Sequence, residues 1–157
     1  MQAEANAAAT GDIPDNQVFL VFRNSGARWS MKYPEGWLQS GASQNVSFRD
    51  KNNIVRVVVT RGQHATPASI RSELAGIKGA HIRGGPQQLK IAGHPAFRVV
   101  YTTVSAPNQV TGKRVTLIVD RYYLPNGNQE AIVDLGTPQG VDNVDAYRLM
   151  IESFKWR

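Results

Sequence analysis

The sequence predicts an α+β domain in which one antiparallel β-sheet lies between helices on both faces. Three observations lead to this prediction. Short alternating runs occur in pairs joined by turn formers, two segments carry apolar residues at helical spacing, and two long strand candidates are apolar on both faces. Because a strand with two apolar faces must be covered on both sides, an α/β/α sandwich is favoured over a barrel.

The first strand pair is predicted at residues 18–22 and 27–33, which are joined by an Asn-Ser-Gly turn. In the second strand Trp29, Met31 and Tyr33 fall on one face, and polar residues fall on the other. This alternation is typical of a half-buried hairpin.

A structural corner is predicted directly after this hairpin. Pro34 cannot donate a hydrogen bond to a neighbouring strand, and Gly36 permits a sharp bend. We therefore expect the strand to stop at Pro34 and Trp37 to fold back over the end of the sheet.

A second hairpin is predicted at residues 45–49 and 54–60, separated by the polar tetrad 50–53. Residues 54–59 are apolar except at Arg56, which indicates a strand that is covered on two sides.

A helix is predicted to begin after Thr66, because Thr is a good N-cap and Pro67 suits the first helical position. Apolar residues follow at spacings of four and three, namely Ile70, Leu74 and Ile77. The helix is ended by Gly76 and Gly79. The Gly-Gly-Pro sequence within residues 81–86 predicts a loop.

The remaining elements are two strand pairs and a final helix. The strands are predicted at residues 87–91 with 95–104 and at residues 114–124 with 129–135, and residues 105–112 form a loop. The helix begins near Asp142 and Asn143, carries apolar residues every three to four positions, and ends at residues 155–157. In total, eight strands and two helices are expected.

The length of 157 residues suits one domain, which we place at residues 17–157 after a leader at residues 1–16. The Ala-rich leader lacks the basic start and apolar core of a signal peptide. Such a segment often follows a removed export signal or lipid anchor, although an ordinary frayed cytoplasmic tail has the same composition.

The chain has no cysteine, which excludes disulfides, thiol catalysis and cysteine-based zinc sites.

The net charge of +6 arises from 18 Lys and Arg against 12 Asp and Glu, and it favours anionic partners or surfaces. Most basic residues are dispersed, as on a solvated surface. Two groups come near to clustering, namely Arg49, Lys51, Arg56 and Arg61, and separately Lys113, Arg114 and Arg121.

Five segments in this order resemble the PsbP family. They are residues 33–37 (Tyr-Pro-Glu-Gly-Trp), the Val-rich strand near 54–60, residues 91–97 (Ile-Ala-Gly-His-Pro-Ala-Phe), Tyr122-Tyr123, and residues 153–156 (Ser-Phe-Lys-Trp). The resemblance covers roughly residues 17–157. The family includes extrinsic photosystem II proteins, bacterial secreted or lipid-anchored proteins, and a structurally similar eukaryotic Ran-binding import factor.

The resemblance implies an antiparallel sheet between helices, a non-enzymatic role and binding to a larger assembly. It also implies an extracytoplasmic location, secreted or lipid-anchored, with the membrane contacted through a removed N-terminal anchor. The matching positions are framework positions, so the resemblance assigns no functional residue.

No constellation of residues indicates catalysis or metal binding. The three histidines, His64, His81 and His94, lack the short spacings that place two ligands on one face of an element. A Gly-x-Ser-x-Gly elbow is missing, and we expect Asp120 to form a cross-strand ion pair with Arg98. We therefore predict no catalytic residues, no metal and no cofactor.

The predicted function is that of a binding module that docks on a protein partner or holds a small ligand between sheet and helix. Its candidate binding residues are the outward arginines of the basic strands, Arg49, Arg56, Arg98 and Arg121. Two alternatives stay open: a binder of nucleic acid or anionic surfaces, which lacks an RNP-like pattern, and an unrecognised small enzyme. The arginine prediction requires that these four side chains share one face and are not engaged in ion pairs.

Overall fold

The computed structural model describes residues 11–157, so residues 1–10 of the predicted leader lie outside the described residues. Its strands are β1 (Phe19–Asn24), β2 (Trp29–Pro34), β3 (Leu38–Ala42), β4 (Asn45–Asp50), β5 (Asn53–Arg61), β6 (His81–Ile91), β7 (His94–Val104), β8 (Thr116–Asn126), β9 (Gln129–Pro138) and β10 (Lys155–Trp156). Its helices are α1 (Pro67–Ala75) and α2 (Val144–Glu152). Neither helix is long and apolar enough to cross a membrane.

The strands form two antiparallel sheets. Seven of them are arranged in the order β3-β4-β5-β9-β8-β7-β6, and the other three in the order β1-β2-β10. The antiparallel α+β class and the four predicted hairpins are confirmed. The expectation of a single sheet is wrong, because the first hairpin pairs with β10 at the end of the chain instead of joining the large sheet.

Two strands were missing from the sequence prediction. All five residues of β3 are exposed, so this edge strand carries no alternation of apolar and polar side chains. The final helix ends at Glu152 instead of residue 157, and the two residues of β10 pair with Trp29 and Ser30 of β2.

The loop predicted at residues 81–86 is part of β6. The register with β7 shifts between Ile82 and Gly84 and again between Gly84 and Gln87, which keeps the chain in the sheet despite the Gly-Gly-Pro sequence. Gly85 has a φ of +82°, and a Cβ there would lie 2.7 Å from the carbonyl oxygen of Arg98. The glycine therefore serves a close approach between two strands.

The start of α1 is as predicted. The Thr66 hydroxyl accepts a hydrogen bond from the Ser69 amide at 3.1 Å, and the Ser69 hydroxyl accepts one from the Thr66 amide at 2.8 Å. With Pro67 at the first position, this capping box fixes where the helix begins.

The chain ahead of β1 is attached to the domain. The Asn53 side chain donates to the carbonyl of Gly11, and the amide of Ile13 donates to Asn143 Oδ1 at 2.9 Å. The hydrogen-bonded part of the chain thus reaches back at least to Gly11, within the segment predicted as leader.

The core consists of two clusters that use alternate residues of the same strands. Ile70 of α1 packs in the cluster of Tyr123, whereas Met150 of α2 packs in the cluster of the next strand residue, Leu124. The predicted sandwich, in which helices cover both faces of the sheet, is present only in part. On the α1 side, the Ile54 end of β5 borders a cleft whose lining residues come from strands and loops alone.

Candidate ligand-binding cleft

A cleft of about 510 Å³ lies between the β4–β5 turn and the segment that follows β7. We call it the basic cleft because Arg49, Lys51 and Arg56 line one of its walls. Residues 103–109 form the opposite wall, and its remaining lining residues are Asn52, Asn53, Ile54, Tyr101, Leu117, Val119 and Asp134.

The strand register brings Arg49 and Arg56 to the same face of neighbouring strands. Arg56 lies opposite Ser47 and Arg49 lies opposite Ile54, so the two arginines are diagonal neighbours. The intervening residues Phe48 and Val55 are fully buried in the core on the other face. Within residues 11–157, neither arginine forms a salt bridge or a side-chain hydrogen bond.

The floor of the basic cleft is apolar. Leu117, Val119 and Tyr101 are 7%, 3% and 5% exposed and belong to the cluster that includes α1. Ile54 is half-buried and packs against the same cluster. A ligand in this cleft would therefore meet cationic groups on one side and hydrocarbon beneath.

A polar network borders the cleft and engages its one carboxylate. Arg121 donates to both oxygens of Asp134, at 2.7 and 2.9 Å, and to Glu73 of α1 at 2.5 Å. The hydroxyl of Tyr123 donates to the same Glu73 oxygen at 2.7 Å. With Asp134 engaged in this way, the cleft lining, which has three basic residues and one acidic residue, carries an excess of positive charge.

The pKa shifts in this network follow from burial and pairing. Burial opposes the charged form of Arg121, but the hydrogen bonds and the attraction of Asp134 outweigh it and raise its pKa. Burial, together with the Asp134 carboxylate, raises the pKa of Tyr101 to about 12. Tyr101 is therefore protonated at neutral pH and is a poor general base.

The four predicted binding arginines do not form one patch. Arg98 points to the opposite face of the sheet, where it pairs with Asp120 at 2.5 Å and lies over the ring of Tyr122. This cross-strand ion pair is the one that the sequence predicted. Arg121 shares a face with Arg56 but is engaged by two carboxylates, so Arg49 and Arg56 are the pair that stays a binding prediction.

The opposite wall of the cleft was not recognised from the sequence. Residues 105–112 were predicted as a connecting loop, and nothing in their composition indicates that they face the β4–β5 turn. Lys51 belongs to the loose basic group predicted from the sequence. Its position two residues after Arg49, in the turn of the same hairpin, is the sequence signal that places it at the cleft.

The described part of the chain has no group of three or more His, Asp or Glu side chains that could hold a metal ion. His64, for example, is hydrogen-bonded to the carbonyl of Gly127 at 2.7 Å.

Glu130 is a second buried carboxylate on the α1 side of the sheet, and it holds the chain just before α1. It is 5% exposed, and both of its oxygens accept the amide of Ala65 at 3.1 Å. Burial raises the pKa of Glu130 above its ordinary value of 4.5. The folded chain thus binds this proton more tightly than the unfolded chain does. The contribution of Glu130 to stability is complete below the unfolded pKa and is lost as the pH rises through the folded pKa.

Glu130→Gln should therefore gain stability relative to the wild type as the pH is raised from 4 to 7, because glutamine can accept the Ala65 amide without ionising. Urea denaturation at several pH values measures this difference. Glu35→Gln, which alters an exposed carboxylate, is the control, and the gain of Glu130→Gln should exceed any change that this control shows. A flat pH dependence for Glu130→Gln would contradict the assignment.

Comparison with solved structures identifies the fold. The solution structure of cyanobacterial PsbP from Synechocystis matches with a TM-score of 0.63 over 95% of this chain and 99% of that chain, at 15% identity. The chain has the PsbP-like fold. No family model and no curated protein matches the sequence.

Three further structures match this PsbP-like chain. The Ran-binding protein Mog1p of Saccharomyces cerevisiae has a TM-score of 0.54 at 9% identity, over 90% of this chain and 96% of its own. LpqN of Mycobacterium tuberculosis, a protein involved in cell envelope biogenesis, has a TM-score of 0.50 at 13% identity, over 90% of this chain and 91% of its own. The chain spans about half (48%) of a Bacteroides thetaiotaomicron structure that it also matches. The predicted resemblance to PsbP is thus confirmed at the level of the fold.

Proposed function

We propose that this PsbP-like chain is a non-enzymatic binding module that docks on a protein partner or holds a small ligand, and that the basic cleft is its binding site. The observation that carries the proposal is the diagonal pair Arg49 and Arg56, which faces an open cleft and, within residues 11–157, forms no salt bridge. These two side chains keep their contact with water until a ligand takes its place. An anionic group from outside the chain can then replace the lost hydration with charge-assisted hydrogen bonds.

The chemistry of the cleft supports binding over catalysis. Its carboxylate, Asp134, is held by Arg121, and its phenol, Tyr101, stays protonated at neutral pH. Both groups are thereby removed as general bases. The remaining polar lining supplies cations, amides and hydroxyls, which recognise a ligand but do not form a nucleophile with its base.

An extracytoplasmic location is part of the proposal. It is supported by the composition of the leader and by the likeness to LpqN, which is involved in cell envelope biogenesis. A protein partner is supported by Mog1p, which is a Ran-binding protein. A lipid-modifiable cysteine encoded just before residue 2 would favour attachment through a removed N-terminal anchor, and its absence from the gene would count against it.

Single-stranded nucleic acid should bind only weakly and lose its affinity on raising the salt from 50 to 200 mM, as expected for non-specific attraction. The reason is that base stacking requires accessible rings, whereas Tyr101 and Tyr123 are 5% and 1% exposed. Fluorescence titration of a labelled oligothymidine measures the affinity. Tight binding that survives 200 mM salt would favour the nucleic-acid alternative.

Site-specific photocrosslinking in the native host tests the proposed function. p-Benzoylphenylalanine at Gln109, an exposed residue of the cleft, should capture a defined partner, and native mass spectrometry of the purified chain should reveal any retained small ligand. The same crosslinker at Gln88, exposed on β6 away from the cleft, is the matched control. Identical products from both positions together with a ligand-free chain would contradict a binding site in the cleft.

A further inference from the structure

We propose that the basic cleft binds a small amphipathic anion, in which a carboxylate or phosphate group is carried on an apolar body. This inference rests on the proposed function and specifies the chemistry of its ligand. Three features of the cleft lead to it: its net positive charge, the placement of its arginines and its apolar floor.

The charge of the cleft selects an anion. Among its lining residues three are basic and one is acidic, and that one, Asp134, is already paired with Arg121 from outside the cleft. Each Asp134 oxygen accepts one hydrogen bond from Arg121, at 2.7 and 2.9 Å. The lining therefore carries an excess of positive charge, and within residues 11–157 its two arginines, Arg49 and Arg56, form no salt bridge, so an incoming anion is attracted at low ionic strength.

The arginines favour an oxyanion over other anions. A guanidinium group presents its N–H donors in a planar fork that matches the oxygens of a carboxylate or phosphate. Arg49 and Arg56 lie on one face of adjacent antiparallel strands as diagonal neighbours, a separation that long side chains can bridge. Both forks can thus reach one oxyanion above Ile54.

The floor and the size of the cleft favour an apolar body of limited length. Ile54, which is half-buried, presents apolar surface next to the arginines, and Leu117 and Val119 line the cleft two strands further along the sheet. The volume of about 510 Å³ is bounded by the β4–β5 turn and by residues 103–109, and it lies within the range of small-molecule sites. Inorganic phosphate alone would leave most of this surface unoccupied.

Isothermal titration calorimetry with four probes separates the contributions of charge and apolar body. 1-Naphthyl phosphate and 1-naphthoate carry both features, 1-naphthol lacks the charge at pH 7, and inorganic phosphate lacks the apolar body. At least one naphthyl anion should bind more than about tenfold more tightly than naphthol and inorganic phosphate, since hydrogen bonds to charged groups contribute that much. The tighter of the two anions identifies the preferred oxyanion.

Arg49→Gln/Arg56→Gln should weaken binding of the preferred anion by more than about tenfold. The matched control is Arg23→Gln/Arg71→Gln, which removes the same net charge at two exposed positions outside the cleft and should bind as the wild type does. Circular dichroism verifies that both variants are folded. The same titration at 500 mM salt should show a clear loss of affinity for the wild type.

Three results would overturn the inference: equal weakening in both double variants, naphthol binding as tightly as the anions, or no binding of either naphthyl anion. The last result would leave the proposed function standing if Gln109 still captures a specific partner. Failure of that crosslinking experiment, in turn, would count against the proposed function but would leave the dependence of anion affinity on Arg49 and Arg56 unchanged. The two failures can therefore be told apart.

Discussion

Replacing Trp37 with alanine is expected to lower the free energy of unfolding by about 3 to 5 kcal/mol. Trp37 is 8% exposed and belongs to the larger core cluster, together with Trp29 and Phe154. Its backbone is placed by the turn after β2, where its amide donates to the carbonyl of Pro34 at 3.3 Å and Gly36 adopts a φ of +93°. Truncation would leave a large cavity that this fixed backbone cannot close.

Urea denaturation measures the loss, and the next residue in the chain supplies the control. Leu38 is 71% exposed at the start of β3, so Leu38→Ala should change the free energy of unfolding by less than about 0.5 kcal/mol. If Trp37→Ala unfolds at the same urea concentration as the wild type or as Leu38→Ala, the corner does not cover the core.

Arg121→Met is expected to destabilise the fold by about 3 kcal/mol, because it removes the charge that compensates Asp134. The Arg121 and Asp134 side chains are 12% and 15% exposed, so water replaces the lost contact poorly. The variant also removes the donor to Glu73, but that carboxylate is 45% exposed and keeps the hydroxyl of Tyr123.

A double-mutant cycle distinguishes an uncompensated charge from simple loss of packing. Arg121→Met/Asp134→Leu removes both charges and should recover most of the stability that Arg121→Met loses, as replacement of a buried ion pair by apolar residues is often neutral. Additive losses in the double variant would show that the Asp134 charge is not what makes Arg121 important.

Much of the fold could be predicted because local signals were strong. Thr66 and Pro67 define the start of α1 by their own side chains, and the polar tetrad 50–53 joins two clear strands. By contrast, β3 and β10 have little local signal. They exist because β4 and β2 offer unpaired edges, which is a property of the tertiary structure.

The candidate site could be predicted only in part, and strand register explains the difference. Arg49 and Arg56 belong to one hairpin with a short turn, so their shared face follows from alternation within that hairpin. Arg98 and Arg121 lie on strands joined by residues 105–115, and a loop of this length does not fix the register. The pairing of β5 with β9, which brings Asp134 beside Arg56, joins strands that are distant in the sequence.

The location of the ligand tests the account most directly. Amide chemical-shift mapping by NMR, with 1-naphthyl phosphate added to the labelled full chain, should show perturbations confined to β4, the β4–β5 turn, β5, residues 103–109 and the surroundings of the other lining residues, Tyr101, Leu117, Val119 and Asp134. A second cleft, lined by His94, Leu124 and Trp156, provides the internal comparison. Perturbations centred there, or an unchanged spectrum at saturating ligand, would contradict the claim that the basic cleft is the site where this domain binds its ligand.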